Sequence, residues 1–196
     1  MEKKDRIALG SGKCYLAEFD GTLPTIEELK NEKNLFSRVK EGAELEYTTD
    51  SFTEESDDGA VKKTIITKED AKLRPGFIVT NSNVVKELVA TGRVEEKEDR
   101  TVVKIGGLNN DNGKSYAILF YHEDKKDGDI AVLIVGKNTA GLKLAFKKSA
   151  GSILNPEFIA EPQDDEGTLI QIVFFHPKTE AAATTNAEDE TEAAAE

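Results

Sequence analysis

Residues 42–67 read GAELEYTTDSFTEESDDGAVKKTIIT, and the rest of the chain is best understood outward from them. Two strand-like arms, residues 43–53 and 60–67, flank an acidic turn region that ends in Asp58-Gly59, a pair that favours hairpin closure. In the first arm Ala43, Leu45 and Tyr47 alternate with Glu44, Glu46 and Thr48, so one face can be buried while the other meets water. Seven acids and no Lys or Arg fall between residues 43 and 60. A hairpin this long with one charged face is only marginally stable alone, so it needs a sheet or a neighbouring chain to pack on. An ordinary edge hairpin of a β-sandwich accounts for the stretch on composition alone.

The 196 residues suffice for one domain with a real core, expected over residues 1–178. From Thr179 onward the sequence TEAAATTNAEDETEAAAE has six acids, no base and no large apolar residue. Such a segment cannot bury enough surface to order itself, so residues 179–196 are expected to form a disordered acidic tail. Removing those six charges from the net −12 leaves −6 for residues 1–178, so the expected folded part is acidic too. Stable docking on nucleic acid is disfavoured by that balance, because affinity for phosphates comes mainly from clustered Lys and Arg. The single cysteine, Cys14, excludes an internal disulfide and reads as a small strand residue rather than a reactive thiol. The opening MEKKDRIALGSGK lacks the apolar run of a secretion signal, and no segment approaches the length needed to span a bilayer as a helix.

Before the hairpin, residues 13–19 (KCYLAEF) read as a strand stopped by Asp20-Gly21. TLPTIEELKNEKN follows as a short helix or ordered loop, with Pro24 near its start and Glu27 and Glu28 in a first turn suited to acids. Residues 35–40 form a short apolar-containing lead through Glu41-Gly42. After the hairpin, Pro75-Gly76 should confine any strand to residues 77–80. A helix is expected over residues 82–91, N-capped by Ser82 and stopped by Gly92, with Val84, Val85, Leu88 and Val89 on one face. Strands then recur at 100–105, 115–121, 129–135 and 141–146, separated by the turn clusters NNDNG, EDKKDG and GKNTAG, which suggests a meander. Two more are expected at 157–160 and 169–175. The pattern predicts a mainly β chain: a β-sandwich or partly open barrel with one or two flanking helices and a long hairpin arm.

Gly113-Lys114-Ser115 has the ending of a phosphate-binding loop, but the first glycine would have to stand at position 108, which is Leu108, and a β run follows instead of a helix. Asn109 to Asn112 and Asp124 to Asp129 offer oxygens, yet neither places glycine as a calcium loop requires. His122 and His176 are far apart in sequence, and with one cysteine they do not make a zinc pattern. No cofactor, metal or catalytic residue is expected.

Four blocks together resemble the tail-tube (major tail) proteins of long-tailed bacteriophages and prophages. They are IALGSGKCYLAEFDGTLP (7–24), EGAELEY with KKTIITKEDAKL, the block from Arg100 to Phe146, and PEFIAEPQDDEGTLIQI (156–172). The resemblance lies in the order and character of segments, since no short signature defines such proteins. It implies a non-enzymatic virion subunit, assembled in the bacterial cytoplasm, that forms hexameric rings stacked into a conduit for DNA. Other tail proteins, such as a tape measure and a tail terminator, are the implied partners, with DNA only in transit. Under this resemblance the hairpin is the arm extended onto neighbours, with Leu45, Tyr47, Phe52, Val61 and Ile65 as candidate intersubunit residues. Glu44 and Glu46 become candidates for a lumen lining that repels phosphate. The competing readings are an inner-tube subunit of a contractile injection or secretion system, and a small-ligand-binding or hydrolytic β-barrel.

Overall fold

The computed structural model describes residues 11–78, 81–146 and 151–177. The expected acidic tail at 179–196 lies outside them. The elements run β1 (Lys13–Glu18), α1 (Ile26–Leu29), β2 (Leu35–Glu55), β3 (Lys62–Phe77), α2 (Ser82–Leu88), β4 (Arg93–Glu96), β5 (Thr101–Lys104), β6 (Tyr116–His122), β7 (Ile130–Asn138), β8 (Phe158–Glu161) and β9 (Gln171–Phe174). The chain is mainly β, as the sequence pattern predicts.

The strand order β6-β1-β2-β3-β8-β7, with β7 pairing back onto β6, closes a ring of six antiparallel strands. Closure removes most sheet edges, so of the two architectures anticipated the ladder realises the barrel. Its narrowest seam is β3–β8, held by the pairs Lys72↔Ile159 and Leu73↔Phe158 and extended by a bridge from Phe77 to Leu154. β9 lies outside the ring and shares one edge of β7 with β8: Ile130 to Leu133 pair with β9, and Val135 to Asn138 with β8.

Alternation along the strands sorts the apolar side chains into two cores. Inside the ring, Cys14, Leu16, Val39, Leu73, Phe77, Ile118, Ile134 and Phe158 pack with Val84 and Leu88 of α2. The intervening residues Tyr15, Ala117, Leu119, Tyr121, Ala131 and Leu133 face outward and are covered by Leu29 of α1. β1, β6 and β7 are therefore buried on both faces, which explains their nearly unbroken hydrophobic runs. α1 is a single turn fixed by a capping box between Thr25 and Glu28.

Several local expectations change. β3 runs through Pro75 and Gly76 instead of starting after them. Pro75 pairs with Ala43 beside a bulge at Glu41-Gly42, both at positive φ, so the missing proline N–H falls where the ladder is already irregular. Gly76 passes so near the Lys40 carbonyl that a Cβ there would stand 2.4 Å from it. Residues 35–40 are the root of β2 rather than a separate lead. Asn81, not Ser82, caps α2 by accepting from the Val84 N–H at 2.9 Å. The helix stops at Leu88, not 91, because Val89 turns extended and Asn138 Nδ2 donates to the Leu88 carbonyl at 2.8 Å.

The expected meander reduces to the β6–β7 hairpin. β5 pairs backward with β4 in a separate two-stranded sheet. Residues 141–146 form no strand, because β6, β8 and β9 already occupy both edges of β7. The turn expected from Gly136 begins later: Gly136 is a mid-strand residue of β7.

Candidate functional site

The hairpin exceeds its predicted arms, with 21 residues in β2 and 16 in β3. Only its base belongs to the barrel. β1 reaches β2 as far as Arg38, and β8 reaches β3 only at Lys72 and Leu73. Beyond these points the two strands pair only with each other among the described residues, and from Tyr47 to Glu55 every β2 residue is exposed. At the rise of a β-strand this exposed ladder is roughly 26 Å long, before the turn.

The tip is defined by hydrogen bonds. Gly59 takes positive φ, Ser56 Oγ donates to Asp58 Oδ1 at 2.6 Å, and the Ala60 N–H donates to the same oxygen at 3.0 Å. These bonds hold the Asp58 carboxyl below its ordinary range, the serine hydroxyl being the larger cause. A second irregularity places Thr67 outside the register between Asp50 and Ser51, where its hydroxyl donates to the Asp50 carbonyl at 3.2 Å.

Four of the five candidate arm residues are accessible: Tyr47, Phe52, Val61 and Ile65 are each about half exposed or more. Phe52 and Ile65 are direct ladder partners, so they form one apolar spot on an otherwise polar ribbon. Ile66, which the sequence reading missed, is 61% exposed; its place in the KKTIIT run was the available signal. Leu45 does not belong to this group, because it lies at the barrel end of the ladder and packs against the inner core.

Glu44 and Glu46 lie on the outward face, beside Arg74. The Arg74 guanidinium reaches Glu46 at 2.6 Å, Glu44 at 3.6 Å and Glu157, just before β8, at 2.7 Å, and Lys72 stands 3.5 Å from Glu157. Arg74 holds the Glu157 carboxyl below its ordinary range through that hydrogen bond. The same face continues to Lys137 and Glu161, 3.6 Å apart. The two carboxylates are thus part of a strip of four acids and three bases, close to charge balance, rather than a bare acidic wall.

The sites considered for chemistry take ordinary structural roles. Gly113 has positive φ in a turn, Lys114 is ion-paired with Glu18 at 2.5 Å, and Ser115 donates to Glu161 at 2.6 Å as β6 begins. Asp124 accepts from the Lys126 and Asp127 N–H groups, shaping the β6–β7 turn. His122 is buried, with Nδ1 2.8 Å from the Ser11 carbonyl, while His176 is exposed. Cys14 is fully buried, and burial pushes its thiol well above the ordinary range. Among the described residues no group of three or more His, Cys, Asp or Glu could hold a metal ion, and no helix is long and apolar enough to cross a membrane.

A cleft of about 500 Å³ between β1, α2 and β6 contains Glu18, Glu87, Lys33 and Tyr116. Of these four residues, three are engaged: the Tyr116 hydroxyl donates to Glu87, and Glu18 pairs with Lys114. What geometry sets apart is therefore the projecting ribbon: a small closed barrel with a long two-stranded arm. No protein-family model matches the chain, and no curated protein matches it significantly.

Proposed function

We propose that this chain is a self-assembling structural subunit and, more particularly, a tail-tube subunit of a long-tailed phage or prophage. It would stack as hexameric rings into the conduit through which DNA leaves the virion. The observation that carries this reading is the arm. Among the described residues it leaves two strand edges unpaired, and it presents Phe52, Ile65 and Ile66 to solvent on a ribbon that the barrel does not need for its own closure. Open edges of this kind are an aggregation hazard in a monomer and a joining device in a polymer. A contact between two different surfaces of identical subunits closes into rings or continues as an open filament, depending on the rotation per subunit.

The outward strip containing Glu44, Glu46, Lys72, Arg74 and Glu157 is the face proposed for the lumen. Its cations are held in ion pairs, and its small negative excess offers phosphate little to bind. The test is electron microscopy of the purified chain beside a variant in which residues 48–69 are replaced by a two-residue turn. The trimmed region lies wholly beyond the β3–β8 seam, so the barrel should still fold. The full chain is expected to form rings or tubes and the trimmed chain to remain a folded monomer. Tubes from both proteins, or monomers from the full chain at every concentration, would overturn the proposal.

A further inference from the structure

The arm tip is acidic: between residues 54 and 63, Glu54, Glu55, Asp57 and Asp58 outnumber Lys62 and Lys63 by four to two. Glu55 stands 3.8 Å from Lys62, and Asp57 has no cationic partner among the described residues.

At the root of the same strand the sign is reversed. Lys13 of β1 pairs in register with Arg38 of β2, so both side chains occupy one face, with Lys40 two residues further along it. Lys30 reaches over from the end of α1, its ammonium 3.6 Å from the centre of the Tyr121 ring. Glu123 serves Lys13 at 3.0 Å and Lys30 at 3.9 Å, and Glu32 acts electrostatically on the neighbouring Tyr15. Arg38 and Lys40 are exposed and have no carboxylate partner among the described residues. A shallow cleft of about 350 Å³, lined by Lys13, Arg38, Tyr121 and Glu123, adjoins them.

Tip and patch sit at opposite ends of β2. About fifteen residues separate Lys40 from Glu55, or roughly 50 Å of extended chain, so a tip cannot reach the patch of its own subunit. Resting on the assembly reading above, we infer that the acidic arm tip, led by Asp57 and Asp58, docks on the basic patch of Lys13, Lys30, Arg38 and Lys40 of a second copy. The contact is heterologous, with donor and acceptor at opposite ends of β2, so each added subunit exposes a new acceptor. Charge complementarity sets register and partner choice, while the apolar spot at Phe52 and Ile65 lies within the same overlap.

Two variants with reversed charge test the contact, Glu54→Lys/Asp57→Lys and Arg38→Glu/Lys40→Glu, the first leaving the turn bonds to Asp58 intact. All four positions are exposed, so folding is expected to be unaffected, with circular dichroism as the check. Each variant alone should need about tenfold more protein to polymerise, and combining all four substitutions in one chain should restore assembly. Separately prepared Asp57→Cys and Lys40→Cys proteins, when mixed and oxidised, should give a mixed disulfide dimer, with buried Cys14 silent. If the unaltered chain polymerises while the reversed variants do so equally well, or no mixed disulfide forms, the docking inference is wrong and the assembly proposal stands. If the unaltered chain never polymerises and no mixed disulfide forms, both fall.

Discussion

Gly136 stands where β7 passes its edge from β9 to β8, and a Cβ there would lie 2.0 Å from the Ile159 carbonyl. Gly136→Ala should therefore force the β7–β8 ladder apart, costing roughly 1–3 kcal/mol in a urea melt. The sequence offered this glycine only as a turn residue, because the close approach comes from a strand more than twenty positions away. Arg74 was equally hard to read, since its two best partners are Glu46 on β2 and Glu157, which lies just before β8 and 83 positions away. The Glu157 carboxyl is lowered from a reference value of 4.5, so its contribution to stability is fully present above that value and is lost as pH falls through the lower native value. Glu157→Gln should consequently flatten the fall in melting temperature as pH drops below 4.5 and lower the melting temperature at pH 7. Cys14, by contrast, was legible as a small strand residue, and it should react with a thiol reagent only at the rate of unfolding.

At the scale of elements, β1, β6 and β7 were readable because burial on both faces leaves unbroken apolar runs. The face of α2 was readable from its three- and four-residue spacing, and its buried residues are Val84, Val85 and Leu88. What escaped was partnership. GLKLAF at 141–146 has strand-like composition, but the edges of β7 are taken, and no local pattern encodes that. The arm was recognised and its length underestimated, because Pro75-Gly76 and Glu41-Gly42 look like terminators, whereas in the fold they meet as opposite sides of one irregularity. The exposed ladder makes a clear prediction: Phe52→Ser with Ile65→Ser should leave the melting temperature within the small range typical of surface changes while abolishing polymerisation. Light scattering against protein concentration would show it. A large loss of thermal stability would instead place these side chains in the monomer's own core.

For the whole molecule, the fold separates stability from association. The six-stranded ring and its two cores need nothing from the far end of the hairpin, and the far end has no packing partner of its own among the described residues. Among the described residues the arm's free edges and acidic tip lie at one end of β2 and the exposed Arg38 and Lys40 at the other, an arrangement suited to addition of one copy after another. The most direct measurement is sedimentation with negative-stain imaging of the full chain and of the chain trimmed at 48–69, both at matched concentration. Rings or tubes are expected from the full chain and a single folded monomer from the trimmed one. A full chain that stays monomeric at high concentration, or a trimmed chain that polymerises as well as its parent, would contradict the assembly proposal.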